Sequence, residues 1–322
     1  MTKLIIQIPC YNEEETLGLT LSDLPRQLPG IDVIEWLIID DGSTDRTVEV
    51  AMAGGVDHVV RLACRQGLAK AFMAGLQAAL EAGADIIVNT DADNQYCAKE
   101  IPRVIEPIMA GKADMTVGVR AIAQIAHFSP LKKIFQRLGS WVVRQVSRTE
   151  IRDAPSGFRA VSRDTAMRLN VFSEYTYTLE TIIQAGLEGM AIVAVPIRTN
   201  GYLRPSRLIK SIPNYIIQSI LTIIRIFMTY KPLRFFFMCG LLFLVPGLLI
   251  SLRFIYYYFT GGGSGHIQSL ILSVLLMGTG FFLMVVALVA DLISVNRKLL
   301  KIVEWRTQKI EVLLKEGNRY VR

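Results

Sequence analysis

Two carboxylates one residue apart, Asp91 and Asp93, stand in the string Asn89-Thr-Asp91-Ala-Asp93-Asn-Gln95, directly after the apolar run Asp85-Ile-Ile-Val88. Carboxylate and amide oxygens are the ligands that hard cations such as Mg²⁺ and Mn²⁺ prefer. In an open parallel sheet, ligands bind beyond the carboxyl ends of strands. A cation held at such an end can neutralise a diphosphate leaving group. Three more clusters surround this one in the chain: Ile8-Pro-Cys-Tyr11-Asn12-Glu13-Glu14, Ile39-Asp40-Asp41-Gly42-Ser43-Thr44-Asp45 and Asp153-Ala-Pro-Ser156-Gly157-Phe158-Arg159. Taken singly, each has a plain alternative. Asp41-Gly42-Ser43-Thr44 also reads as a turn and helix cap, paired acids are common on loops, and Pro9–Asn12 also reads as a strand exit. The order and spacing of the set make it specific.

The elements needed to position these clusters alternate along the first 200 residues. Strands are predicted over Leu4–Ile8, Val33–Ile39, His58–Leu62, Asp85–Thr90, Met115–Val119 and Ala191–Ile197. Helices are predicted over Glu13–Gln27, Thr44–Ala53, Gly67–Ala82, Lys99–Ala110, Pro130–Val146 and Thr178–Ala185. A β-α-β-α order implies an α/β domain with a mainly parallel sheet covered on both faces. Strands buried on both faces read as continuous apolar runs, and Trp36–Ile39 and Ile86–Val88 do. The first three clusters then fall at strand ends along one edge.

The chain has 322 residues, 52% of them hydrophobic, and a formal net charge of +7. Its mean hydropathy of +0.38 comes largely from the C-terminal part. Phe235–Phe259 and Ile267–Ala290 are each long enough to cross roughly 30 Å of hydrocarbon. Lys231 and Arg234 precede this hairpin, and Arg297, Lys298 and Lys301 follow it. The connecting Gly261-Gly-Gly-Ser-Gly265 carries no Lys or Arg, so the positive-inside rule places both ends in the cytoplasm. Ser206–Lys231 has the pattern of an amphipathic helix lying in the membrane surface, or of a core helix. The boundaries read as 1–205 for a cytosolic catalytic domain, 206–232 for the interfacial region, 233–292 for the two spans and 293–322 for a basic cytosolic tail. The basic balance suits an anionic lipid or phosphorylated partner, and there is no nucleic-acid motif. Cys10, Cys64, Cys97 and Cys239 are scattered and read as reduced thiols. His58, His127 and His266 are isolated and read as structural or solvent-facing.

The four clusters together resemble family 2 glycosyltransferases of the GT-A (Rossmann-like) fold, over roughly residues 3–210. The likeness is to the polyprenyl-phosphate branch, the dolichol-phosphate mannose synthases and bactoprenol glucosyltransferases. Asp91-x-Asp93-x-Gln95 and Ser156-Gly157-Phe158 are its more specific signs. The resemblance implies that Pro9, Tyr11, Glu13, Asp40 and Asp41 hold the nucleotide, and that Asp91 contacts the sugar diphosphate. It further implies that Asp93 and Gln95 bind the metal, Mg²⁺ or Mn²⁺. Arg120, Arg137 and Ser140 match positions that grip the acceptor phosphate. Arg204, Arg207 and Lys210 occupy the loop that closes over the diphosphate, with Arg207 on the donor side and Arg204 and Lys210 on the acceptor side. That loop often carries Gly-x-Ser-Lys in the family, where this chain reads Arg204-Pro-Ser-Arg207.

A lipid phosphate is already anionic and needs no general base, and the chain contains no Glu-Asp dipeptide of the kind many hydroxyl-directed relatives use. A metal and several arginines suffice to bring two anions together and stabilise the departing diphosphate. The expected activity is therefore metal-dependent, inverting transfer of a hexose, glucose from UDP-glucose first, to undecaprenyl or another polyprenyl phosphate. The expected setting is the cytoplasmic face of the inner membrane, in a multi-pass protein with both termini inside and homo-oligomerisation open. The alternatives are a processive polysaccharide synthase, although Gln-x-x-Arg-Trp is absent, and a non-catalytic nucleotide-sugar-binding membrane protein.

Overall fold

The structure is a computed structural model that describes residues 1–120, 141, 143–144, 147, 149–151, 153–171, 177–200, 221, 224–225, 228–260 and 267–319. Its contacts divide the chain into two compact units, Met1–Ser219 with Trp305–Arg322, and Ile220–Glu304.

The first unit is built on β1 (Lys3–Cys10), β2 (Val33–Asp40), β3 (His58–Arg61), β4 (Ile86–Asn89), β5 (Met115–Arg120), β6 (Arg159–Ser162) and β7 (Ile192–Ile197). They form one sheet in the order β3-β2-β1-β4-β6-β5-β7. Its helices are α1 (Leu17–Asp23), α2 (Thr47–Ala53), α3 (Leu68–Glu81), α4 (Ile101–Met109), α5 (Arg163–Arg168) and α6 (Thr178–Leu187). Leu4, Ile5, Ile6 and Ile8 are all fully buried, because β1 is central and covered on both faces. Each such side chain contributes about 1.5–3 kcal/mol of burial. α3 lies very close to the sheet: a Cβ on Gly75 would fall 2.6 Å from Gln7 Oε1 and 2.7 Å from Ile39 Cδ1.

All pairings are parallel except those of β6, which runs antiparallel to both β4 and β5. The mainly parallel α/β expectation holds, but β6 and the short α5 that follows it were not predicted. The reversal matters for function. Because β6 runs the other way, its first residue rather than its last faces the edge where β1, β2 and β4 end, with Arg159 opposite Asn89. The fourth sequence cluster thus joins the other three. α1 is shorter than the predicted Glu13–Gln27, because Glu13–Thr16 form a turn whose carbonyl at Glu13 accepts from the amides of Thr16 and Leu17. Most of the predicted helix Pro130–Val146 and most of Ser206–Lys231 lie outside the described residues.

The second unit contains α7 (Pro232–Phe259) and the greater part of α8 (Ile267–Arg319). α7 and the Ile267–Arg297 stretch of α8 are long and apolar enough to cross a membrane. Their mutual contact uses small residues: a Cβ on Gly240 would lie 2.8 Å from the Gly280 carbonyl, and one on Gly280 would lie 2.7 Å from the Leu244 nitrogen. Ser273 Oγ donates to the Gly247 carbonyl at 2.8 Å. Small residues and interhelical hydrogen bonds are what hold helices together where no hydrophobic driving force acts between them.

Candidate active site

β2, β1 and β4 are neighbours, so their ends at Asp40, Cys10 and Asn89 lie side by side. The Asp41 amide donates to the Cys10 carbonyl at 2.9 Å, which ties the first two exits together. Asn12 takes a left-handed backbone at φ 54°, a conformation that Asn tolerates better than most residues. Its Oδ1 accepts from the Thr44 amide at 2.8 Å, and its own amide donates to Ser43 Oγ at 3.0 Å. Asp40 is buried; its Oδ1 accepts from the Ser43 amide at 2.9 Å, and Arg61 Nε lies 3.5 Å from Oδ2. Asp41 spends both carboxylate oxygens on the amides of Gln66 and Gly67, at 2.7 and 2.9 Å. It therefore braces the Cys64–Gly67 loop, which passes so close to Gly42 (φ 74°) that a Cβ there would meet the Arg65 nitrogen at 2.8 Å. The brace holds Arg65 over the Tyr11 ring, 4.2 Å from its centroid. Glu13 accepts from Thr16 Oγ1 at 2.9 Å. The Cys10 thiol is pushed well up by burial and then by Glu13 and neighbouring aspartates, which removes it as a nucleophile.

Asp91 lies against a scaffold of buried polar groups. A Cβ on Gly157 would fall 3.0 and 3.3 Å from the two Asp91 carboxylate oxygens and 3.0 Å from Tyr177 Oη, so an added methyl would crowd all three atoms. The Gly157 peptide is held on both sides. Its amide donates to Tyr96 Oη at 2.9 Å, and its carbonyl accepts from Asn89 Nδ2 at 3.0 Å and Tyr177 Oη at 3.3 Å. Asn89 is oriented in turn by Gln7 Nε2, which donates to its Oδ1 at 2.9 Å. The Tyr177 ring stacks on Phe72 at 3.9 Å and the Tyr96 ring on Phe158 at 5.2 Å. Arg159, only 1% exposed, donates to the Ser156 and Thr178 carbonyls and to Thr181 Oγ1. Partly buried and beside Asp93, the Asp91 carboxyl is raised from an ordinary 3.8 to about 7, against the pull of Arg120 and Arg159.

Asp93 and Gln95 lie on the following turn, where Asp93 Oδ1 accepts from the Gln95 amide at 3.1 Å. Among the described residues, no three His, Cys, Asp or Glu side chains converge as a ready-made metal cage. The oxygen donors present still fit a hard divalent cation of the kind bound by one or two protein groups together with substrate phosphates and water. Burial first and then the neighbouring Asp93 raise Asp91, and a cation held at this turn would offset the second of these contributions.

Arg120 closes the edge on the far side. Its Nε and Nη2 donate to the Asp153 carboxylate at 2.8 and 3.0 Å, and its amide donates to the same group at 3.1 Å. This fork-to-fork pair is almost wholly buried. Arg120 also lies 5.9 Å from the Tyr96 ring centroid. Among the predicted site residues, the structure thus gathers Pro9, Tyr11, Glu13, Asp40, Asp41, Asp91, Asp93, Gln95 and Arg120 on one edge. Arg137, Ser140, Arg204, Arg207 and Lys210 lie outside the described residues. Sequence reasoning missed Gln7, Asn89, Tyr96 and Tyr177. Gln7, a polar residue inside the apolar run Leu4–Ile8, was the one visible signal.

Comparison with known proteins agrees with this geometry. The family described as glycosyl transferase family 2 matches residues 5–169. An undecaprenyl-phosphate mannosyltransferase of Micrococcus luteus is 31% identical over 200 residues, covering 59% of this chain and 80% of that protein. A polyprenol monophosphomannose synthase of Mycolicibacterium smegmatis is 26% identical, covering 60% and 76%. A UDP-N-acetylglucosamine–dolichyl-phosphate N-acetylglucosaminyltransferase of Methanococcus voltae is 32% identical, covering 60% and 83%. In fold, the chain is similar to glucosyl-3-phosphoglycerate synthase of Mycobacterium tuberculosis, solved with Mn²⁺, UDP and glucosyl-3-phosphoglycerate. That likeness has a TM-score of 0.54 at 21% identity, over 69% of this chain and 80% of that one.

Proposed function

The chain belongs to glycosyl transferase family 2, and from that premise we propose that it moves a hexose from a UDP-sugar onto a polyprenyl phosphate at a membrane surface. One observation carries the reading: Asp91 and Asp93 form an under-compensated acidic pair on the same sheet edge as the buried cations Arg120 and Arg159. Carboxylates beside buried arginines on one edge suit the binding of a divalent cation and of phosphate groups. The relatives named for undecaprenyl, polyprenol and dolichyl acceptors support the lipid, as do the two helices of membrane length.

In this reading Tyr11, Glu13 and Asp40 hold the nucleotide, while Asp41 fixes the loop that carries Arg65. Asp91, packed close against Gly157, faces the sugar diphosphate. Asp93 and Gln95 hold Mg²⁺ or Mn²⁺, which supplies positive charge to the leaving group. Arg120, Arg137, Ser140, Arg204 and Lys210 gather the acceptor phosphate, and Arg207 serves the donor. An oxygen of the lipid phosphate attacks C1 of the sugar. The bond from C1 to the diphosphate oxygen breaks, and UDP leaves with the electron pair and with inversion at C1. No proton needs removal from a phosphate already ionised. The charges flanking the two apolar helices support a catalytic domain and both termini on the cytoplasmic side.

Glucose is the donor sugar expected from the sequence. Mannose is the second reading, favoured by the names of the M. luteus and M. smegmatis relatives. The purified full-length protein, given undecaprenyl phosphate and Mn²⁺, can be screened against UDP-glucose, UDP-galactose, UDP-N-acetylglucosamine and mannose nucleotides. A sugar-1-phospho-polyprenol with UDP-glucose supports the full reading. Product with mannose alone replaces the sugar, and no glycolipid with any donor refutes the acceptor class.

A further inference from the structure

The turn that carries Asp93 and Gln95 pivots on Asn94, which takes a left-handed backbone at φ 52°. A non-glycine residue in that region costs energy and persists where its surroundings over-determine it, often at functional sites. Asn94 is 6% exposed and held from two distant elements. From α1, the Asp23 carboxylate accepts from Asn94 Nδ2 at 2.9 Å. From the exit of β7, Asn200 Nδ2 donates to the Asn94 carbonyl at 3.0 Å and to Asn94 Oδ1 at 3.3 Å. The Asn200 amide also donates to the Gln95 carbonyl at 2.9 Å, and Thr199 bridges Tyr96. Asp23, Asn94 and Asn200 thus form a chain of hydrogen bonds that crosses the turn, while the Asp93–Gln95 contact spans the turn itself.

We propose that Asn94 and Asn200 are positioning residues that hold Asp93 and Gln95 at the spacing a divalent cation requires. The proposal rests on the metal reading given above. The left-handed turn at Asn94 is held by side chains from 71 and 106 residues away, a long-range investment that an ordinary surface turn does not need. The side chain of Asn200 has the donors that the two Asn94 acceptors require, whereas aspartate of the same shape has none when ionised.

Two variants of the full-length detergent-solubilised protein test this: N200D, which turns the donor into a repelled acceptor, and N94G, which keeps the positive φ available but removes the brace. Mn²⁺ affinity is read by electron paramagnetic resonance with and without UDP, alongside melting temperature and the KM values of donor and acceptor. Both variants are expected to weaken Mn²⁺ binding about tenfold or more, as loss of outer-shell partners does. Donor KM should rise while acceptor KM stays within about twofold. Wild-type Mn²⁺ affinity in folded variants, with only the melting temperature lowered, overturns the proposal and leaves a structural brace. If N200D does not fold, N94G decides alone. A wild-type protein that binds no Mn²⁺ under either condition refutes the metal reading and the proposal with it, while variants of unchanged affinity refute the proposal only.

Discussion

The two edges of the same sheet are built on opposite electrostatic principles. At the amino-terminal edge, Glu35 Oε2 meets Lys3 Nζ at 2.7 Å and His58 Nε2 at 2.6 Å. Although partial burial opposes it, hydrogen bonds from these partners lower the Glu35 carboxyl below its ordinary range. At the carboxyl-terminal edge, Asp91 is raised to about 7 by burial and by Asp93. One edge satisfies its charges internally, while the other leaves negative charge under-compensated and surrounds it with buried tyrosines, arginines and a glycine. On the proposed function, the difference separates charge that supports the fold from charge that awaits a ligand.

Substitutions should break this contrast unequally. Asp93→Asn is expected to lower glycosyl transfer by about three orders of magnitude or more with little change in folding, consistent with loss of a group that anchors transition-state charge. Gly157→Ala forces a methyl against the Asp91 carboxylate and should reduce donor kcat/KM by about 100-fold, a displacement effect of the kind small misplacements produce. Tyr177→Phe removes one hydroxyl from the Gly157 clamp while keeping the ring stacked on Phe72. Steady-state kinetics should show about a tenfold loss in kcat/KM for the donor, on the order of 1.4 kcal/mol.

Stability should distinguish the edges by sign. Between pH 4 and 7 the folded protein keeps a proton on Asp91 that the unfolded chain has released, so this group's contribution falls as pH rises through that window. Metal-free Asp91→Asn should therefore be more stable than wild type at pH 8, by on the order of 1–2 kcal/mol, and lose that advantage near pH 4. Thermal unfolding with a chelator present measures it. Glu35 has the opposite sign. Its depressed carboxyl contributes above the unfolded value and loses the contribution as pH falls through the folded one. Because this pair is partly exposed to solvent, Glu35→Gln should cost only about 0.5 kcal/mol at pH 7.

The strands and acidic clusters were legible because β1, β2 and β4 are largely buried on both faces and written as mainly apolar runs, interrupted at Gln7 and Glu35, with polar residues at or just beyond their ends. The hairpin was legible for the same reason of composition and length. β6 was not, since Arg159-Ala-Val-Ser162 is four residues long and opens on an arginine that looks like a surface residue. Its burial depends on carbonyls from Ser156 and Thr178, a pairing that local pattern does not encode. The Gly157 clamp and the Asn94 brace escaped detection because their partners lie 20 to 106 residues apart, and a single asparagine or tyrosine announces nothing about what it will reach. Arg120 was singled out through the family resemblance, and its fork-to-fork engagement with Asp153 could not be read from either residue's neighbours.

The most direct test of the account compares three full-length proteins in one assay: wild type, Asp93→Asn and Glu35→Gln, each given undecaprenyl phosphate, Mn²⁺ and a radiolabelled sugar nucleotide. Wild type and Glu35→Gln are predicted to form glycolipid at equal rates, and Asp93→Asn to form none above background. Asp93→Asn working at the wild-type rate, or Glu35→Gln failing as completely, would contradict the assignment of chemistry to the carboxyl-terminal edge.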